Sequence, residues 1–204
     1  MKQIGQLIHQ PPQDNDNKLP TTSCSEWQQR MVSRYHDTQG LLTKANPSMQ
    51  RWCAENVDQC FFGDFPSLSQ LKALSRNTPC LWLVPQLVNL SEFCGARDKL
   101  TDGQLEDLAS IIATDFYFLK ISELMLFFHR FKAGKYGRFY GSVDPLIIVE
   151  ALHKFCKERG NAIDEHDREE KRKRLEAAKA EAVTWEEYRA THPVNNETNP
   201  FERK

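Results

Sequence analysis

A strong net charge is missing from this sequence. Its 204 residues include 27 lysines and arginines and 28 aspartates and glutamates, which gives a formal charge of −1. The molecule as a whole therefore has no general attraction for nucleic acid or an anionic membrane, and any such attraction must come from a local patch.

Apolar runs of about 18 residues, the length of a membrane span, are also missing. The N-terminal residues contain no apolar stretch of signal-peptide length, so we expect a cytoplasmic protein with no membrane partner.

Paired cysteine motifs are missing too. The six cysteines are scattered along the chain without a C-x-x-C pair. A structural zinc site needs four ligands, and this spacing does not supply them. Buried free thiols in a reducing compartment are the better interpretation.

Motifs for nucleotide binding or catalysis are equally scarce. The glycine-rich segment near residue 137 matches neither G-x-G-x-x-G nor G-x-x-x-x-G-K-[ST]. Glu150 and His153 have the E-x-x-H spacing of di-iron bundles, but the second copy that such a site requires is missing. We therefore predict no catalytic residue, no metal and no cofactor, and a protein that is not an enzyme. An unrecognised enzymatic site around Glu123, His129 and Tyr136 is a third, more distant hypothesis.

Helix-forming residues dominate the middle of the chain. Apolar residues make up 40% of the sequence and aromatic residues 10%, enough for a substantial core, whereas alternating β-branched runs are nearly absent. The pattern predicts an all-α protein, a compact multi-helix bundle with a projecting charged C-terminal helix and disordered termini. We expect a disordered arm at 1–23, a core at 24–162, a charged helical extension at 163–190 and a disordered tail at 191–204.

Several residues are typical of helix starts. Asn46 resembles an N-cap with Pro47 at the first helical position, and Ser67 resembles another cap. Thr101 and Gln104 form a capping-box pair. The last predicted start has Asp144 as the cap and Pro145 just inside the helix.

Other residues predict where helices end or bend. Gly95 and Gly160 are expected at helix C-termini. Pro85 predicts either a kink or a late helix start near Val84.

The segment from Tyr117 to Gly134 predicts a helix at the centre of the bundle, because it is apolar around most of its circumference. Glu123 lies inside this apolar run. A buried carboxylate can be a functional acid, but a local cap or a pairing with Lys120 is favoured.

The turn that follows, FKAGKYGRFYGSVDP (131–145), combines cations, aromatic residues and glycines. Cations beside aromatic rings are what single-stranded nucleic acids require of a protein surface. The candidate contact residues for nucleic acid or a partner are Arg130, Lys132, Lys135, Tyr136, Arg138 and Tyr140. A structural interpretation stays open, in which the glycines provide positive φ and the aromatic rings fold onto the core. The residues assigned to the turn and its cap are Gly134, Gly137, Gly141, Asp144 and Pro145.

The segments FPSLSQL, LVNLSEFCGARDKLTDGQLEDLASII and KISELMLFFHRFKAGKYGRFYGSVDP together resemble an uncharacterised bacterial protein family. Members occur in Bacteroidetes-type genomes and mobile elements. The resemblance covers about residues 65–160, and its most specific part is GKYGRFYGSVDP. The layout is also loosely similar to small phage proteins that load a replicative helicase. The family has no established activity, so the resemblance assigns no catalytic residue to this sequence.

Two functions follow as hypotheses. The first is a non-enzymatic adaptor in the replication or maintenance of a mobile element, which contacts DNA or a DNA-bound replication protein through the basic turn. The alternative is a protein-binding helical module whose partner docks on residues 164–192.

Overall fold

The computed structural model describes residues 22–137, 139, 141–182 and 185–191, and these form α-helices joined by turns and loops. The all-α prediction is therefore confirmed. The helices are α1 (Thr22–Tyr35), α2 (Thr38–Lys44), α3 (Met49–Glu55), α4 (Val57–Phe62), α5 (Leu68–Leu71), α6 (Thr78–Phe93), α7 (Asp102–Asp115), α8 (Ile121–Lys132), α9 (Pro145–Glu181) and α10 (Trp185–Thr191). Among these described helices, none is both long enough and apolar enough to cross a membrane.

The chain divides into two compact units, Met1–Val149 and Glu150–Lys204. The division falls inside α9, and the predicted core boundary near residue 162 lies inside the same helix. The arm predicted for 1–23 and the tail predicted for 191–204 lie almost entirely outside the described residues, except that Thr22 and Ser23 belong to α1 and Thr191 ends α10.

Helix α8 forms the centre of the first unit. It packs against α3, α4 and α6, while α6 also packs against α2 and α7. Every residue of α8 from Ile121 to Phe128 is buried. The apolar circumference seen in the sequence thus predicts this central position correctly, because a helix without a polar side must be covered on all sides.

A tryptophan joins α2 to α6 in the same core. The fully buried Trp82 donates its indole N–H to the carbonyl of Ala45 at 2.8 Å. Gln86, one turn later, donates to the same carbonyl at 3.2 Å. This carbonyl belongs to the C-terminal cap of α2, so the two donors satisfy a buried acceptor that the helix leaves unpaired.

Most of the predicted helix starts are confirmed. Ser67 and Thr101 accept hydrogen bonds from the N–H groups of Gln70 and Gln104, and each forms a full capping box. Asp144 accepts a hydrogen bond from the Leu146 N–H at 2.8 Å, directly ahead of α9. These helix starts can be predicted from the sequence because a cap is a local interaction between residues within one helical turn.

Two other expected helix starts, at Asn46 and near Val84, are wrong, whereas the alternative that Pro85 kinks α6 stays a prediction. Asn46 does not cap α3: its Oδ1 accepts from the Ser48 N–H at 2.9 Å in a turn, and the helix begins at Met49. Pro85 does not delay α6, which runs continuously from Thr78. The missing proline N–H removes only one bond, and the packing of this apolar helix outweighs that loss.

The predicted helix end at Gly160 is also wrong, because α9 continues through this residue to Glu181. The first turns behave as expected, with Ile148, Ala151, Leu152 and Phe155 buried. Beyond Gly160 the helix is mostly exposed and carries ion pairs three residues apart, such as Glu165 with Arg168 at 3.8 Å. Helix-favouring residues on both sides carry the helix across the glycine.

We expect Gly160→Ala to stabilise the protein by about 0.5 to 1 kcal/mol, because glycine is a poor helix residue. A methyl group at this position would meet no heavy atom within 4 Å. Thermal unfolding followed by circular dichroism at the helix band should show a higher midpoint. A lower midpoint would contradict a continuous helix at this position.

Candidate nucleic-acid interface

The basic turn begins where α8 ends. The N–H groups of Gly134 and Lys135 donate to the carbonyls of Phe131 and Arg130 at 2.9 and 3.1 Å, which closes the helix. Gly134, Gly137 and Gly141 have φ angles of 81°, 118° and 82°. Only glycine adopts these angles without strain, so the prediction that the glycines supply positive φ is confirmed.

The aromatic residues of the turn fold back onto α8. Tyr136 is only 8% exposed, and its ring centre lies 5.5 Å from that of Phe127 and 6.2 Å from that of Phe131. Phe139 stacks on Phe131 at 5.3 Å with an interplanar angle of 26°. Tyr136 is therefore a core residue that anchors the turn, and its ring does not lie on the surface. Tyr140 lies outside the described residues.

The cations of the turn differ in exposure. Lys135 is exposed, whereas Arg130 and Lys132 are partly buried. Arg138 lies outside the described residues. All three described cations follow or end α8, where the negative end of the helix dipole favours positive charge.

Lys132 has the most defined environment of the three. Its Nζ donates to Asn89 Oδ1 at 2.8 Å and lies 5.4 Å from the ring centre of Phe93, both in α6. Partial burial lowers the pKa of the Lys132 ammonium, while nearby Cys94 raises it by a smaller amount. The ammonium group is thus held beside α6 and has lost part of its hydration. A bound anion would stabilise its charged form.

A second segment with positive charge lies against the turn. The Asp98 N–H donates to the Gly141 carbonyl at 3.2 Å, and the Val143 N–H donates to the Asp98 carbonyl at 2.9 Å. These bonds fix the loop between α6 and α7 beside the turn. Arg97 and Lys99, on either side of Asp98, are both exposed.

A groove of about 290 Å³ lies between the end of α6 and the turn. We call it the Phe93–Phe139 groove; its lining includes Phe93, Cys94, Phe131, Lys132, Gly137 and Phe139. Phe93 is 61% exposed. No motif in the sequence marks Phe93 as a site residue, and helical spacing would place it with the buried Gln86 and Leu90. It is exposed because α6 ends there.

Glu123 has a structural role in this protein. It is fully buried, and its Oε2 accepts a hydrogen bond from the backbone N–H of Lys120 at 2.8 Å. The carboxylate therefore caps α8, as the local interpretation predicted. The Lys120 side chain points elsewhere and donates to the carbonyls of Phe61 and Gly63.

The five cysteines whose side chains are described form no disulfide. Cys53 and Cys60 are buried, and Cys80, Cys94 and Cys156 are partly buried. The Cys60 thiol donates to the Cys53 carbonyl at 3.3 Å. At the groove, burial raises the pKa of Cys94, and the charge of Lys132 lowers it by less. Cys94 is therefore a neutral thiol near neutral pH.

The described residues form an all-α protein in which Lys132 lies beside the exposed ring of Phe93, and the loop that carries Arg97 and Lys99 is hydrogen-bonded to the basic turn. Residues 99–199 match the model of a family of unknown function (DUF6633). The match confirms that the sequence resembles an uncharacterised family, and it begins later and extends further than the predicted range. It covers the basic turn, α9 and α10. A comparison with curated proteins gave no match, and neither did a comparison with solved structures.

Proposed function

We propose that this protein is a non-enzymatic adaptor that contacts DNA, or a protein bound to DNA, through the basic turn. The observation that carries the proposal is the arrangement of charge. Lys132 and Lys135 come from the end of α8 and the turn, and Arg97 and Lys99 come from the loop hydrogen-bonded to that turn. Cations thus occur on two chain segments that are hydrogen-bonded to each other, in a protein with a formal charge of −1.

This distribution suits a phosphate backbone. A protein without global positive charge binds DNA only where cations are concentrated, and each phosphate neutralised releases counterions. The acidic side chains of Glu92 and Asp98 border the same region. Their negative charge opposes phosphate binding, so we expect the protein alone to bind DNA with modest affinity. The bacterial and mobile-element setting of the proposal derives from the resemblance of about residues 65–160, most specifically Gly134 to Pro145, to proteins of such elements, and the cytoplasmic setting is the expectation from the N-terminal sequence.

The test is fluorescence anisotropy with labelled single- and double-stranded oligonucleotides at about 50 mM and about 200 mM salt. We expect binding that weakens with salt. Lys132→Ala/Lys135→Ala should weaken it about tenfold or more at low salt and reduce the salt slope by about 2, since each lysine neutralises one phosphate.

The matched control is Lys171→Ala/Lys179→Ala, which removes the same charge from exposed positions of α9. Its affinity should stay within about twofold of the unaltered protein, because those lysines are not among the cations assigned to the proposed surface. Absence of binding at low salt, or an equal loss in the control, would overturn the proposal.

A second candidate function is a protein-binding module, favoured by the exposed apolar residues of the C-terminal helices. Leu175 in α9 is 54% exposed and Tyr188 in α10 is 47% exposed. Exposed apolar positions on a charged helix are typical of helix-in-groove recognition. This candidate replaces the first if no oligonucleotide binds.

A further inference from the structure

The Phe93–Phe139 groove presents aromatic rings from two different elements. Phe93 projects from the end of α6, and Phe139 belongs to the turn after α8. Phe139 is held in place by its stacking on the buried Phe131 at 5.3 Å. Aromatic rings with an exposed face at a groove are the usual platform for nucleobases, because every base has a π-face.

A cation stands at the same groove. The Lys132 ammonium group lies 5.4 Å from the Phe93 ring centre, and its bond to Asn89 fixes its position. Lys135 is exposed in the turn three residues later. A base held against Phe93 would thus have positive charge within reach of the phosphate attached to it.

Part of the backbone at the groove is not covered by side chains. Gly134 and Gly137 are exposed, and the space where a side chain would begin at either glycine holds no atom within 4 Å. A sugar–phosphate chain can therefore approach the turn more closely than any side chain would permit.

The size of the groove limits what fits. Its volume of about 290 Å³ lies at the lower end of the range for small-molecule sites. One nucleotide is a reasonable occupant, whereas a paired duplex would present its bases edge-on with their faces stacked.

We propose that the Phe93–Phe139 groove holds one unstacked nucleobase, with its phosphate beside Lys132 and Lys135, and that the ligand class is single-stranded nucleic acid. The inference rests on the proposed function and makes it more specific. It assigns base contact to Phe93, because Tyr136 is occupied in the core.

The experiment compares three labelled probes of about 16 nucleotides, a length that spans one single-strand binding site. They are a thymidine oligonucleotide, a matched duplex, and a single strand of abasic sugar–phosphate units. We expect the thymidine strand to bind most tightly. Phe93→Ala should weaken its binding about tenfold to a hundredfold, which corresponds to the loss of one base–aromatic stack.

The matched control is Phe118→Ala, which removes another exposed phenylalanine, 41% exposed, at a position away from the groove lining. It should leave all three affinities unchanged, while Phe93→Trp should retain binding to the thymidine strand. Phe93→Ala should have no effect on the abasic strand, which has no base to stack.

The possible failures are distinguishable. If none of the probes binds, the proposed function itself fails. If all three bind equally and Phe93→Ala changes nothing, the surface contacts only the backbone; the proposed function then survives and the base-binding groove is overturned. A Phe93→Ala loss of equal size on the abasic strand would also overturn the groove, because stacking could not be its cause.

Discussion

Phe127→Ala is expected to lower the free energy of unfolding by about 3 to 5 kcal/mol, the usual cost of removing a fully buried aromatic side chain. Phe127 is completely buried in α8, and its ring lies 5.3 Å from Phe128 and 5.9 Å from Phe131. The ring also supports Tyr136 at 5.5 Å. The substitution therefore removes the core contact that anchors the basic turn as well as the packing of α8.

Chemical denaturation followed by circular dichroism measures this change, and Phe93→Ala is its matched control. Phe93 is 61% exposed, so its removal should alter the free energy of unfolding by no more than about 0.5 kcal/mol. Phe127→Ala then measures the effect on stability, whereas Phe93→Ala changes binding without a large effect on stability. Equal destabilisation by both would contradict the burial on which the candidate site depends.

Local signals in the sequence predict much of this fold. The capping pairs at Ser67 and Thr101 and the Asp144–Pro145 start are correct, because each depends on residues within one helical turn. The central position of α8 is also predictable, since its apolar circumference leaves it no surface to expose.

The errors occur where one helix-breaking residue is outweighed, by tertiary packing at Pro85 and by helix-favouring neighbours at Gly160. Gly160 predicts a helix end and Pro85 predicts either a kink or a late helix start, yet α9 passes through Gly160 and α6 already begins at Thr78. A proline or glycine has a cost of about 1 to 3 kcal/mol in a helix interior. The buried side of α6, with Trp82, Leu83 and Leu87, more than offsets one such cost.

Only some residues of the candidate site can be predicted from the sequence. Lys132 and Lys135 stand out as cations near glycines, and the structure places Lys132 at the groove and Lys135 in the turn beside it. Tyr136 stands out in the same way, although its ring lies in the core. Exposure of an aromatic residue in a turn depends on which ring folds inward, and sequence spacing does not determine that choice.

Phe93 and Arg97 could not be assigned to the site from the sequence, because they lie about 40 residues from the turn. Their relation to it depends on the pairing of Asp98 with the segment from Gly141 to Val143. A single parallel bridge of this kind leaves no periodic pattern in the sequence, so it cannot be predicted from strand or loop propensities.

Lys120 joins three segments of the first unit at the start of α8. Its Nζ donates to the carbonyls of Phe61 and Gly63 at 2.8 and 2.9 Å, at the C-terminal end of α4. Its backbone pairs with Ser67 in a bridge, and the neighbouring Leu119 carbonyl accepts from the Leu68 N–H at 3.0 Å. The side chain therefore holds the end of α4 against the junction of α5 and α8.

We expect Lys120→Met to lower the free energy of unfolding by about 2 to 3 kcal/mol. Methionine has a similar length but cannot donate, so two charge-assisted hydrogen bonds disappear and the Phe61 carbonyl loses this partly buried donor. Lys120→Arg keeps the charge and the donors and should recover at least half of the loss. The control Lys72→Met, at an exposed position, should stay within about 0.5 kcal/mol of the unaltered protein. Equal effects at Lys120 and Lys72 would mean that the ammonium group contributes nothing to the junction, and that its apolar stem alone explains the contact between α4 and α8.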